Sequence, residues 1–142
     1  MDLVKHFEEK GVPTLVISQR SPKNIDKEYG KSESRKYIHI TTEGAGIEEG
    51  VLLPSDLGKL TEKVKEFLET NPDGVVYLGN VIERLIHKNG FDRFLDHCEK
   101  IYDFIQKHRG VVIVSVSKDA LESIQFEKLR TFAHEGELVP SP

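Results

Sequence analysis

The sequence predicts an α/β protein with a three-layer architecture: a mostly parallel sheet of about four strands, with helices on both faces. Two observations carry this. Short β-rich runs that are apolar throughout, such as Pro13-Thr-Leu-Val-Ile-Ser18 and Val111-Val-Ile-Val-Ser-Val116, suit strands buried on both faces. These runs alternate with stretches whose apolar residues recur every three or four positions, the helical period. Strands alternating with helices imply parallel pairing through right-handed crossovers. The length, 142 residues, fits one domain with a core that needs no disulfide or metal.

The elements follow in order. Asp2 to Lys10 places Leu3, Val4 and Phe7 on one side and ends at Gly11, so residues 1–11 form an N-terminal amphipathic helix. Residues 12–135 form the α/β domain, beginning with a first strand at Pro13–Ser18. Ser21-Pro22 then supplies a capping hydroxyl and a proline at the first helical position, where a missing N–H does no harm. That helix runs to about Tyr29. Gly30 is placed as its stop, and Lys36–Thr41 reads as the second strand.

The glycine-rich, acidic segment from Thr42 to Val51 reads as a loop. Ser55 is positioned to cap the next helix, in which Leu57, Leu60, Val64, Phe67 and Leu68 form a core stripe until Asn71-Pro72. Gly74–Gly79 is the third strand and Asn80–His87 a short helix, broken at Asn89-Gly90. Phe91, Phe94, Leu95, Cys98, Ile101, Tyr102 and Ile105 give the longest helical stripe. Val111–Val116 is the fourth strand. A last helix from about Lys118 carries Leu121, Ile124, Leu129 and Phe132, and residues 136–142 read as a flexible tail.

Composition bounds the function. A net charge of −4 with no arginine stripe argues against nucleic acid, and no apolar run is long enough for a membrane. The start shows no secretory pattern, so the expected location is the cytoplasm. High Lys and Glu with one Cys and no Trp lean toward a hot environment. Cys98, at a core spacing, reads as a small buried hydrophobe.

Gly30-Lys31-Ser32 resembles the end of a phosphate loop, whose pattern is G-x-x-x-x-G-K-[ST]. The position that should hold the first glycine is Ile25, and the triplet follows a helix instead of opening one. It reads as a helix stop with a solvated lysine. A metal-holding aspartate is expected after an apolar strand, but Gly79 and Asn80 follow Val75-Val-Tyr-Leu78. The six histidines show no zinc-binding spacing, and Ser115 and Ser117 have no legible triad. No catalytic residue, metal or cofactor is therefore assigned.

In a doubly wound sheet, ligands collect beyond the carboxyl ends of the strands, where the winding reverses. The candidate partner- or ligand-binding residues there are Arg20, Thr41, Thr42, Asn80, Glu83 and Asn89. Arg20 suits an anion or an ion pair. Glu83 suits either a ligand or simply the first turn of a helix.

"VISQRSPKNIDKEYG" (Val16–Gly30), "LLPSDLGKLTEKVKEFLE" (Leu52–Glu69), "VIERLIHKNGFDRFLDH" (Val81–His97) and "VVIVSVSKDALE" (Val111–Glu122) resemble the archaeal domain of unknown function 835. The matching marks are Arg20, Pro22 and Tyr29-Gly30; Pro54-Ser-Asp-Leu57; and Asn89-Gly-Phe91. The family commonly reads Asp-Gly-Leu-Glu after its third strand, where this chain has Asn80-Val-Ile-Glu83. The resemblance implies a degenerate RecA- or KaiC-like fold used in archaeal signalling, and it supplies no activity. The expected function is a regulatory or scaffolding module without catalysis, contacting another protein or a second copy of itself. The alternatives are a receptor for a nucleotide or other small molecule and, behind it, an NTPase or hydrolase.

Overall fold

The computed structural model describes residues 2–42, 50–116, 125, 127–128 and 138–140. Their elements are α1 (Asp2–Glu9), β1 (Thr14–Ser18), α2 (Pro22–Tyr29), β2 (Arg35–Ile40), β3 (Val51–Leu52), α3 (Leu57–Thr70), β4 (Val75–Gly79), α4 (Ile82–Asn89), α5 (Phe91–His108), β5 (Val111–Val116) and β6 (Leu138–Pro140). The strands form one six-stranded sheet in the order β3-β2-β1-β4-β5-β6, and every pairing is parallel. The four long strands are those the apolar runs predict. Two short edge strands join them, β3 at the end of the expected loop and β6 within the expected tail. Runs of two and three residues are too short for any period to announce, and only pairing with a neighbour makes them strands.

Side chains alternate across the strands, so each face needs its own cover. Leu15, Ile17, Ile38, Ile40, Val76, Leu78, Val112 and Val114 pack with buried residues of α3, α4 and α5. On the opposite face Val16, Val75, Tyr77 and Ile113 meet Val4 of α1 and Ile25 of α2. The result is the three-layer α/β arrangement. Cys98 lies in the larger core, where burial pushes its thiol up to about 12 and leaves it a packing group.

The helix ends show which local signals hold. Ser21 accepts a hydrogen bond from the Asn24 N–H at 3.2 Å, and the Gly30 N–H donates to the Asp26 carbonyl at 2.8 Å with φ at 80°. Gly30-Lys31-Ser32 is therefore a helix end leading into β2. For α3 the expected cap is displaced by one residue: Asp56, not Ser55, occupies the N-cap. The Asp56 carboxylate accepts instead from the Leu53 N–H at 3.0 Å, which tightens the turn before the helix. α4 starts at Ile82 because Asn80 adopts a left-handed φ of 55°, outside a right-handed helix. The expected last helix lies outside the described residues except for Gln125, Glu127 and Lys128, which are helical.

At the amino end of the sheet stands a charge that the sequence reading did not single out. The Arg35 side chain is 1% exposed and grips Glu8 through two parallel bonds, Nε to Oε2 at 2.6 Å and Nη2 to Oε1 at 2.8 Å. Its Nη1 also donates to the Gly30 carbonyl at 2.8 Å and to Asp26 at 3.2 Å, while the Tyr37 hydroxyl bonds to the same Asp26 carboxylate. Thr14 adds a hydroxyl bond to Glu8 at 3.3 Å. α1, α2, β1 and β2 thus meet at one guanidinium, whose pKa the Glu8 hydrogen bonds drive further up.

A second polar contact ties α3 to α5. The Thr61 hydroxyl donates to the Leu57 carbonyl at 2.9 Å, so toward His97 Nδ1, also 2.9 Å away, its oxygen accepts and Nδ1 carries the hydrogen. Burial, then the charges of Lys100 and Arg93, lower the His97 pKa from its ordinary 6.5.

Two outcomes follow from these contacts. Replacing Arg35 by Leu strands the Glu8 carboxylate and is expected to cost about 3–5 kcal/mol in urea unfolding, while Glu8→Leu/Arg35→Leu costs clearly less than the sum of the single changes. Additive losses would mean that the pair does not act as a unit. For His97, the unfolded chain binds more protons just below the ordinary histidine pKa. The stability it contributes is therefore present above pH 6.5 and lost as pH falls through the lowered folded value. His97→Gln should flatten the pH dependence of Tm across that interval, and an unchanged profile would assign it to other groups.

Candidate functional site

The winding reverses between β1 and β4. β1 leads through α2 to β2 on one side, and α3 returns the chain over the opposite face to β4 on the other. The two carboxyl ends lie side by side, with Ser18 in register with Gly79 and Gly79 with Ser115 of β5. This is the crevice where a doubly wound sheet offers a ligand site.

The crevice is crossed by the protein's own side chains. Gln19 Nε2 donates to the Asn80 carbonyl at 2.7 Å, joining the exits of β1 and β4. The Gln19 carbonyl accepts from His39 Nε2 at 3.0 Å, which fixes the hydrogen on that nitrogen. Asn80 donates its N–H to the Ser115 carbonyl at 3.3 Å, and its Oδ1 accepts from the Ser115 hydroxyl at 3.4 Å. The left-handed φ of Asn80 makes these bonds compatible, and asparagine tolerates that region better than most residues. Gly79 is required just before it, because a Cβ there would overlap the ring of Tyr77.

The groups brought together are amides, a hydroxyl and an imidazole engaged with a carbonyl. They can hold hydrogen bonds in fixed directions. The amides of Gln19 and Asn80 neither exchange a proton near neutrality nor give a magnesium ion the anionic oxygen it prefers. Burial pushes the Tyr77 phenol up, which keeps it neutral beneath the crevice. Among the described residues, no group of three or more His, Cys, Asp or Glu side chains could hold a metal ion.

The other candidate residues separate. Arg20 precedes α2 and reaches along it, where Nη2 meets Glu28 at 2.5 Å and the Asn24 carbonyl at 3.4 Å, so its charge is matched by the helix that follows it. Thr41 donates its N–H to the Leu52 carbonyl at 2.9 Å and helps hold β3. Glu83 is exposed in the first turn of α4. Asn89 is a structural clamp, its amide nitrogen donating to the carbonyls of Pro54 and Leu85 at 2.8 Å each. Thr42 lines a separate cleft of about 450 Å³ with Pro54, Arg84, His87 and Lys88.

Gln19, Arg84 and Lys88 escaped the sequence reading. The spacing of Arg84, His87 and Lys88, three and four residues apart, was a legible sign of one helix face. Gln19 had no comparable sign, since its partner is distant in sequence. Among the described residues, no helix is long and apolar enough to cross a membrane.

The sequence matches, over residues 1–132, the family described as "Protein of unknown function (DUF835)". No curated protein matches it.

Asn80→Asp provides a direct check on the chemistry of the crevice, because it places a carboxylate after an apolar strand, where a metal-holding aspartate would stand. The expected result is no ATP hydrolysis and no Mg²⁺-dependent rise in Tm, since no G-x-x-x-x-G-K-[ST] loop accompanies the carboxylate. Hydrolysis by this variant would show that the crevice retains a usable phosphate site.

Proposed function

We propose that this chain, which belongs to the DUF835 family, is a regulatory or scaffolding module without catalysis that acts through protein contacts. The observation that carries the reading is the bond from Gln19 to the Asn80 main chain, which closes the strand-end crevice with the protein's own groups. A ligand entering between β1 and β4 would have to replace that bond, and Gln19-Arg20-Ser21-Pro22 has no glycine that would let the backbone approach a pyrophosphate. What stays at this end is a rigid, polar rim suited to contact.

The rim combines Arg20, just ahead of α2, with Asn80 and Glu83 before and within α4, so charges of both signs stand at the exits of β1 and β4. Such a pattern favours an oriented partner, either another protein or a second copy of this chain. The setting belongs to the same proposal: a cytoplasmic protein of archaeal signalling, from a hot environment. Its fold would be a RecA-like one that has lost the phosphate loop and the metal-holding aspartate.

The test combines calorimetric melting with a panel of nucleotides and Mg²⁺ and light scattering of the purified protein, alone and with partners captured from native extract. A nucleotide at about a hundred times its dissociation constant would stabilise the fold by roughly 2.7 kcal/mol. No such shift is expected. Instead a dimer or a defined complex should form, and Arg20→Glu/Glu83→Lys should weaken it. A nucleotide-dependent rise in Tm, or a strictly monomeric protein that captures nothing, would overturn the reading.

A further inference from the structure

The cleft beside α4 has a charge and a construction that the strand-end rim does not explain. Arg84, His87 and Lys88 project from one turn of α4 toward Thr42 and Pro54, around a space of about 450 Å³. Among the described residues none of the three forms an ion pair. This local excess of positive charge stands on a chain whose net charge is −4, so it is not part of a generally basic surface.

The walls are fixed. The two hydrogen bonds that the Asn89 amide donates to the carbonyls of Pro54 and Leu85 clamp the segment before α3 to the end of α4. Two stretches singled out in the sequence, Pro54-Ser-Asp-Leu57 and Asn89-Gly-Phe91, are therefore parts of one device. The opposite wall begins at Thr42, two residues beyond the end of β2 and next to Thr41, whose N–H is held by Leu52. The carbonyl end of a helix opposes a nearby anion. Here Gly90 N–H bonds the Ile86 carbonyl and Asn89 the Leu85 carbonyl, which blunts that opposition.

From this geometry we propose that the cleft binds the phosphoryl group of a small phosphorylated ligand without a nucleobase, since among the described residues its lining offers only Pro54 as an apolar surface. The planar guanidinium of Arg84 suits paired phosphate oxygens, and Lys88 adds a compact charge. Thr42 and His87 can supply a hydroxyl and a ring N–H to the remaining oxygens. The volume exceeds that of phosphate alone and leaves room for an organic body against Pro54. Binding here would place a small-molecule input within one helix of the rim at Asn80 and Glu83.

The experiment is a titration of the full chain with inorganic phosphate, followed by amide NMR shifts. Saturable shifts are expected at Thr42, Arg84, His87 and Lys88, with acetate shifting the same amides more weakly because it is planar and singly charged. Arg84→Gln/Lys88→Gln, which keeps good helix formers on an exposed face, should weaken phosphate binding by about tenfold or more with the rest of the spectrum unchanged. A second cleft of about 440 Å³ mixes Lys36 and Lys63 with Glu66, so Lys63→Gln serves as the control and should bind as the parent does. Shifts that fail to saturate, that match those of acetate, or that survive the double variant would overturn the proposal. No partner protein is present in the titration, so its outcome is separate from that of the protein-contact reading.

Discussion

A strand that is apolar on both faces must be covered twice, and β1 is such a strand. All five of its residues are buried, and it pairs with β2 on one side and β4 on the other. Parallel neighbours require crossover connections, and opposite faces require those connections to lie on opposite sides. From this one constraint follow the placement of α1 and α2 on one face, of α3, α4 and α5 on the other, and the reversal of winding beside β1. The crevice at the strand ends is thus a consequence of how the central strand is buried.

The amino end of the same sheet is secured differently. A buried arginine is costly unless every donor is matched, and Arg35 is matched by Glu8, Asp26, Gly30 and Tyr37. Because the partners come from separate elements, the network fixes where α1 and the end of α2 sit relative to β2. The hydrophobic effect that buries Val4 and Ile25 is non-directional, whereas the hydrogen bonds of a guanidinium are not. Specific pairing of charge supplies the missing direction.

The carboxyl end shows the opposite use of polar groups. Gln19, Asn80 and Ser115 satisfy one another across the strand exits, and Arg20 is matched by Glu28. Arg84, His87 and Lys88 are held on a clamped wall without an anionic partner among the described residues. Groups already satisfied contribute rigidity, while unmatched charge favours binding. That contrast separates a structural crevice from a cleft able to take an anion.

The local parts of this fold were legible in the sequence. Apolar runs marked the four long strands, stripes at Leu57–Leu68 and Phe91–Ile105 marked the longest helices, and Ser21, Pro22, Gly30 and Gly90 marked helix ends, because each signal arises between residues within a few positions of one another. Ser55 and Asp56 are both residues that suit a helix start, and neighbours of equal aptitude leave the choice of Asp56 to the geometry of the turn before α3. The site was less legible. Asn80 was found from its place after a strand, but its bond to Gln19, the Asn89 clamp on Pro54 and the Arg35–Glu8 pair join residues far apart in the chain. No local pattern encodes such contacts. The sequence by itself determined that strands and helices alternate and that a phosphate loop is missing; only the tertiary structure decided which polar groups meet, because long-range geometry is set by packing of the whole sheet.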